Sequence, residues 1–214
     1  MRRRNQPPQW RRRSFLAGAI LMLGSACSVL PAGQPPPRLF VLTPKSTFSA
    51  SLPRANWQLT VGAPIAEAGL NTARIALRQS PVTLEYFERA NWIDAAPIMV
   101  QTLLVESFEN SNKIVAVARQ SVSLRADYSL ISELREFQAE YDGPGPALIR
   151  VRLNAKLVKM PQRTIIAALT TEYTARAKGN DLESIVLAFD SALGKSLKRI
   201  VEWTLTTVPG TTRG

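Results

Sequence analysis

The chain contains no histidine and a single cysteine, Cys27. Without histidine there is no Ser-His-Asp or Cys-His nucleophile system, no imidazole metal ligand and no imidazole acid–base step. One thiol cannot close an internal disulfide or build a cysteine zinc site. A glycine-rich phosphate loop is missing too; Gly143, Pro144, Gly145 and Pro146 form a turn or linker signature instead. The 16 acidic residues are scattered, and no pair is set apart by its context. No apolar run reaches the roughly 20 residues of a membrane-spanning helix.

What is present begins with the leader. Residues 1–26 carry six arginines and no acid, followed by an apolar stretch over 15–23 and then Gly24, Ser25 and Ala26. Basic, apolar, then small is the order of a secretory signal. Small residues directly before Cys27 give it the lipoprotein form, in which the leader is cleaved and the new N-terminal cysteine is acylated; the other reading of Cys27 is a buried structural cysteine. Arg12, Arg13, Phe15 and Leu16 match the twin-arginine export pattern R-R-x-F-L, with an ordinary basic leader for general secretion as the alternative. After Cys27 come Pro31, Pro35, Pro36 and Pro37, a composition that keeps a chain extended as a spacer. Each buried methylene of an acyl chain contributes roughly 0.8 kcal/mol, so three chains of the palmitate type anchor permanently. Ser28, where inner-membrane retention favours Asp, directs the expectation to the outer membrane.

Six of the 27 basic residues lie in the leader, leaving 21 against 16 acidic ones in the mature protein. That modest excess gives no support to nucleic-acid binding, and an anionic lipid surface or an acidic partner remains compatible with it. The 188 residues after the leader suit one domain with a sizeable core.

Residues 38–43 and 57–62 read as strands ended by Pro44 and Pro64. Residues 74–78 and 82–86 read as a strand pair, with Gln79, Ser80 and Pro81 as the turn. Asn91, Trp92 and Ile93 then lead into a helix with Asp94 as its N-cap and Pro97 in the tolerant first turn, ended by Asn110, Ser111 and Asn112. Residues 114–117 read as a strand, and a β-rich portion covers 122–141, 147–159 and 163–176. In the second of these, Ile149, Val151, Leu153, Ala155 and Leu157 alternate with Leu148, Arg150, Arg152, Asn154 and Lys156, as in a strand with one buried face. Met160, Pro161 and Gln162 turn the chain back into a hairpin. Asn180 with Glu183 three positions on suggests a capping box. The apolar residues from Leu182 to Val201 that follow recur at helical spacing. Lys195, Lys198 and Arg199 suit the C-terminal end of that helix's dipole. Its polar face carries both signs of charge, which favours packing on a sheet over lying on a membrane.

The fold expected is therefore a single compact α/β domain: a mixed β-sheet with flanking helices and a long amphipathic C-terminal helix. Its boundaries are a signal peptide over 1–26, a Pro-rich tether over 27–37, the folded domain over 38–207 and a flexible tail over 208–214.

Several segments together resemble one family. They are Cys27, then Arg38, Leu39, Phe40, Val41 and Leu42, then Val61, Gly62, Ala63 and Pro64. Ile75, Ala76, Leu77 and Arg78 follow, with Leu84, Glu85, Tyr86 and Phe87, Asn91 and Trp92, and Leu103 and Leu104. The series continues with Ala126, Asp127, Tyr128, Ser129 and Leu130, Glu136 and Phe137, and a helix ending at Ile200, Val201, Glu202 and Trp203. In order and spacing, over roughly 27–205, the chain resembles the ABC-type transport auxiliary lipoproteins, the PqiC-like partners of MCE-domain lipid transport systems. The resemblance implies an α/β domain without catalytic residues or cofactors. It implies a membrane-anchored accessory that docks an MCE-domain protein and its ABC permease and ATPase. It implies lipid or another hydrophobic cargo, and it is compatible with self-association into a homo-oligomer.

Candidate contact residues carry two readings each. Tyr86 and Trp92 belong either to the core or to an aromatic anchor for a partner. Arg150, Arg152 and Lys156, on one strand face, are either solvated or contacts for anionic lipid or an acidic partner. No metal ligand set is expected. Three other roles stay open: a carrier that holds an acyl chain itself, an envelope enzyme working with carboxylates, and a structural lipoprotein of envelope assembly.

Overall fold

The computed structural model describes residues 35–121 and 125–208. In chain order these form β1 (Arg38–Phe40), β2 (Ala55–Val61), β3 (Ile65–Ala66), β4 (Arg74–Ser80), β5 (Thr83–Trp92), α1 (Ala96–Asn110), β6 (Ile114–Arg119), β7 (Tyr128–Glu140), β8 (Leu148–Lys159), β9 (Thr164–Arg176) and α2 (Leu182–Thr207). All nine strands join one mixed sheet organised about β7. One edge of β7 pairs antiparallel with β8 along its length, and β8 pairs antiparallel with β9. The other edge is shared: β2 pairs parallel with its beginning, β3 with its middle and β4 with its end. From β2 the sheet continues to β6, and from β4 to β5 and β1.

Both helices cover one face. On β8 the alternation read in the sequence holds: Ile149, Val151, Leu153, Ala155 and Leu157 are fully buried beneath α2. That helix buries Ile185, Phe189, Leu193, Leu197, Ile200 and Val201, which recur at three- and four-residue steps and so share a face. Each such side chain contributes about 1.5–3 kcal/mol relative to exposure. The amphipathic stripe is thus spent on the sheet. The chain from Pro36 onward is a single compact α/β unit.

Local details differ from the sequence reading, each for a physical reason. The β4–β5 turn is Pro81 and Val82, one step later than expected, because Ser80 already pairs with Thr83. Asn91 and Trp92 end β5 rather than leading into the helix. The N-cap of α1 is Ala95, not Asp94, and no side chain caps it. Two of its first positions need none: Ala96 N–H donates to the Thr72 carbonyl at 3.0 Å and Pro97 has no N–H to satisfy. Asp94 accepts the Ala95 N–H at 2.7 Å. In α2 the cap is Asp181, not Asn180, and it accepts the Ser184 N–H at 2.8 Å while the Ser184 hydroxyl returns to it at 2.7 Å. Glu183 is consequently free to pair with Arg38 on β1. That helix runs on to Thr207 with no basic residue in its last turn, so Lys195, Lys198 and Arg199 lie too far inside to meet its dipole. Val208, the expected start of a tail, is held by its carbonyl, which accepts the Trp57 indole N–H at 2.9 Å.

Candidate functional site

Cys27 and the export residues Arg12, Arg13, Phe15 and Leu16 lie outside the described residues. The other sequence candidates fall on two faces of the sheet.

Trp92 is in the core, 1 % exposed, with the Phe137 ring at 5.5 Å and the Phe189 ring edge-on at 5.1 Å. A residue so covered cannot anchor a partner, and that reading of Trp92 is corrected by its burial. Tyr86 sits on the opposite face, half-buried, and has local work. Its hydroxyl donates to the Gly69 carbonyl at 3.0 Å, and the Arg74 guanidinium carbon stands 3.8 Å above its ring centroid. A Cβ at Gly69 would come within 2.6 Å of the end of the Leu84 side chain, which would have to turn aside to admit one.

Arg150, Arg152 and Lys156 share the face of β8 away from the helices, and carboxylates of β7 and β9 answer each of them. Arg150 forks between Glu140 at 3.0 Å and Glu172 at 2.6 Å. The Arg152 Nε lies 3.1 Å from Glu136, and the Lys156 ammonium lies 3.2 Å from Glu133. Burial acts to raise the Glu140 carboxyl, yet hydrogen bonds from Arg150 and Gln138 prevail and hold it below its ordinary value. The Glu133 carboxyl is also held low, by Arg135 first and then Lys156. Arg150 is raised by its bond to Glu140. This ladder is a balanced cross-strand network, each pair worth a fraction of a kcal/mol. It leaves little unopposed charge for an anionic lipid.

Three further surface features were not singled out in the sequence. Leu39, Val41 and Ile93 are large aliphatics exposed at the β1 edge, where the chain enters the domain. A hollow of about 270 Å³ lies beside the β4–β5 hairpin, lined by Glu67, Arg78, Val82, Leu84, Arg135 and Glu136 among others. A second, of about 320 Å³, lies between α2 and the extended segment after β1, with Lys45, Ser46, Ser191, Gly194, Lys195 and Lys198 in its wall. The mid-helix glycine was the one local signal for it, since glycine weakens a helix interior. Lys45 is far away in sequence, and nothing local connects it to α2. Among the described residues no three His, Cys, Asp or Glu side chains gather as metal ligands, and no helix is long and apolar enough to cross a membrane.

Comparison with known proteins places the domain. The model of a family described as ABC-type transport auxiliary lipoprotein component matches residues 40–201, from β1 to near the end of α2. The crystal structure of a protein from Xanthomonas campestris superposes with a TM-score of 0.75 at 31 % identity, covering 79 % of this chain and 95 % of that one. A crystal structure of an uncharacterized protein shares the fold at 16 % identity, with a TM-score of 0.58 over 74 % of this chain and 97 % of that one. An uncharacterized protein of Bradyrhizobium diazoefficiens is 28 % identical over 165 residues, 76 % of this chain and 41 % of that protein. The chain therefore spans about two-fifths of that curated relative's length.

Proposed function

The chain belongs to the ABC-type transport auxiliary lipoprotein components, and from that premise we propose that it is the membrane-anchored, non-catalytic docking component of an ABC system that moves lipid between membranes. The observation that carries this is the family match over nearly the whole folded domain. In this reading Cys27 carries the acyl anchor, the proline-rich residues after it space the domain from the bilayer, and Ser28 favours the outer membrane. The partner is an MCE-domain protein with its permease and ATPase. The exposed aliphatics Leu39, Val41 and Ile93 supply an apolar contact of the kind that partner binding uses, and self-association would repeat it around a ring. Tyr86 and the ladder of Arg150, Arg152 and Lys156 would border partners at most, since each already has an internal contact.

A carrier of acyl chains is the weaker reading. The two hollows are small and lined with charge, and neither is the apolar cleft that an acyl chain needs.

Affinity capture of the intact chain from detergent-solubilised membranes should recover an MCE-domain protein. Recovery of unrelated envelope proteins alone would overturn the docking role. Cys27→Ala should release a folded domain from the membrane; full retention of that variant in the membrane fraction would remove the anchor.

A further inference from the structure

We propose that the groove between α2 and residues 43–46 binds an anionic phosphate group.

The rim is built rather than incidental. Thr43 donates its N–H and its hydroxyl to Asp190 on α2, at 2.7 and 2.9–3.0 Å. Two residues on, Lys45 donates its N–H to the Ser107 hydroxyl of α1 at 2.9 Å, and its carbonyl accepts from Asn110 at 3.2 Å. Ser107 is itself fully buried. The extended segment is thus strapped to both helices, and the strap fixes where Lys45 stands.

The wall opposite is a stripe on α2. Asp190, Gly194 and Lys198 follow one another at four-residue steps, with Ser191 and Lys195 beside them, so all five share a helix face. Three lysines line the hollow against one aspartate, whose carboxylate already holds Thr43. Lys198 lies 3.8 Å from Glu202, at the outer limit of an ion pair. For Lys45 and Lys195 no ion pair is formed among the described residues. The contrast with the sheet face is direct: there each of Arg150, Arg152 and Lys156 has its glutamate, and here the cations are left over. Lysine side chains together with Ser46 and Ser191 in the same wall are donor types that suit the tetrahedral oxygens of a phosphate.

Gly194 is the second independent observation. It sits in the interior of a 26-residue helix, where glycine is unfavourable relative to alanine. A Cβ built there meets nothing within 4 Å, so packing does not demand glycine. Its missing side chain leaves the floor of the hollow open. A volume of about 320 Å³ exceeds that of a bare phosphate and admits a substituent on it. The ligand class proposed is a phosphate-bearing anion, either an anionic lipid headgroup or a soluble phosphate.

The inference does not rest on the transport role, and either can fail alone. The test is calorimetric titration of the intact protein in neutral detergent with inorganic phosphate, short-chain phosphatidylglycerol and short-chain phosphatidylcholine. The anionic probes should bind. Lys45→Gln with Lys195→Gln should weaken them about tenfold or more, and Gly194→Leu, which fills the hollow without changing charge, should do the same. Lys156→Gln on the sheet face should leave binding unchanged, and circular dichroism should show every variant folded. Tighter binding of phosphatidylglycerol than of inorganic phosphate assigns a lipid headgroup, and the reverse assigns a soluble phosphate. Three results would overturn the site: no anionic binding up to millimolar concentrations, phosphatidylcholine bound as well as the anionic probes, or groove variants that bind like wild type.

Discussion

The Trp92 indole meets the Phe189 ring edge-on with centroids 5.1 Å apart, which ties the last residue of β5 to the first half of α2. Phe137 of β7 completes the cluster, 5.0 Å from Phe189. Three elements distant in sequence therefore depend on one aromatic contact. Trp92→Ala should cost about 3–5 kcal/mol through lost burial and the cavity left behind. The Trp92 Nε1–H has no acceptor in this core. Trp92→Phe removes that unsatisfied donor and should cost markedly less. Urea denaturation of the two variants checks this, and equal losses would contradict it.

The cap of α2 gives a sharper test of position. Asp181→Ala should lower stability by about 1 kcal/mol, as loss of an N-cap does. Asn180→Ala should stay close to wild type, because Asn180 lies outside the cap. The Asp181 carboxyl is held below its ordinary value by the Ser184 N–H, so the cap's contribution is present at neutral pH and fades on acidification. The reverse order of the two variants in thermal melting would restore the capping box first expected at Asn180.

Acid should act on the β7–β8–β9 ladder through Glu140. Its folded carboxyl sits below the ordinary value of 4.5 despite burial, because Arg150 and Gln138 hold the charged form. Below 4.5 the unfolded chain takes up the proton first, so this stability is lost as pH falls through the folded value. In Arg150→Met the strongest of those bonds is lost, and burial weighs more heavily against the charged carboxylate. The variant should be less stable than wild type at pH 7, with the gap narrowing as the pH drops through about 4.5. Denaturation curves that stay parallel across this range would show that the pair contributes nothing.

Gly194→Ala should stabilise the domain by about 1 kcal/mol, since the helix gains an alanine and the new methyl meets no atom within 4 Å. A drop in melting temperature would mean that the glycine is needed by the fold itself.

These particular residues also show what was legible beforehand. The alternation on β8 and the apolar stripe on α2 could be read because period two and period 3.6 are local signals. The cap of α1 could not, since a carbonyl from Thr72, in the loop before β4, satisfies its first N–H. Arg150, Arg152 and Lys156 were found as one face, but their neutralisation depends on a register that brings in Glu133, Glu136, Glu140 and Glu172 from two other strands. Trp92 had to be left between core and surface, because burial is settled by the helix that covers it. The groove of Lys45 and Lys195 joins residues from opposite ends of the domain, and beyond the mid-helix Gly194 no local pattern announces it.

The shared edge of β7 orders assembly in time. β7, β8 and β9 are sequential antiparallel neighbours joined by short turns, and α2 packs directly on β8 and β9. Such contacts close small loops and form early. β2 and β4 also pair with β6 and β5, but the pairing of β2, β3 and β4 to β7 uses an edge that this meander supplies, across roughly 60 or more intervening residues, where loop closure is costlier. Pulse-labelled hydrogen exchange during refolding should therefore protect β8 amides before those of β2. The strands at the start of the domain are then the last to be fixed on the sheet.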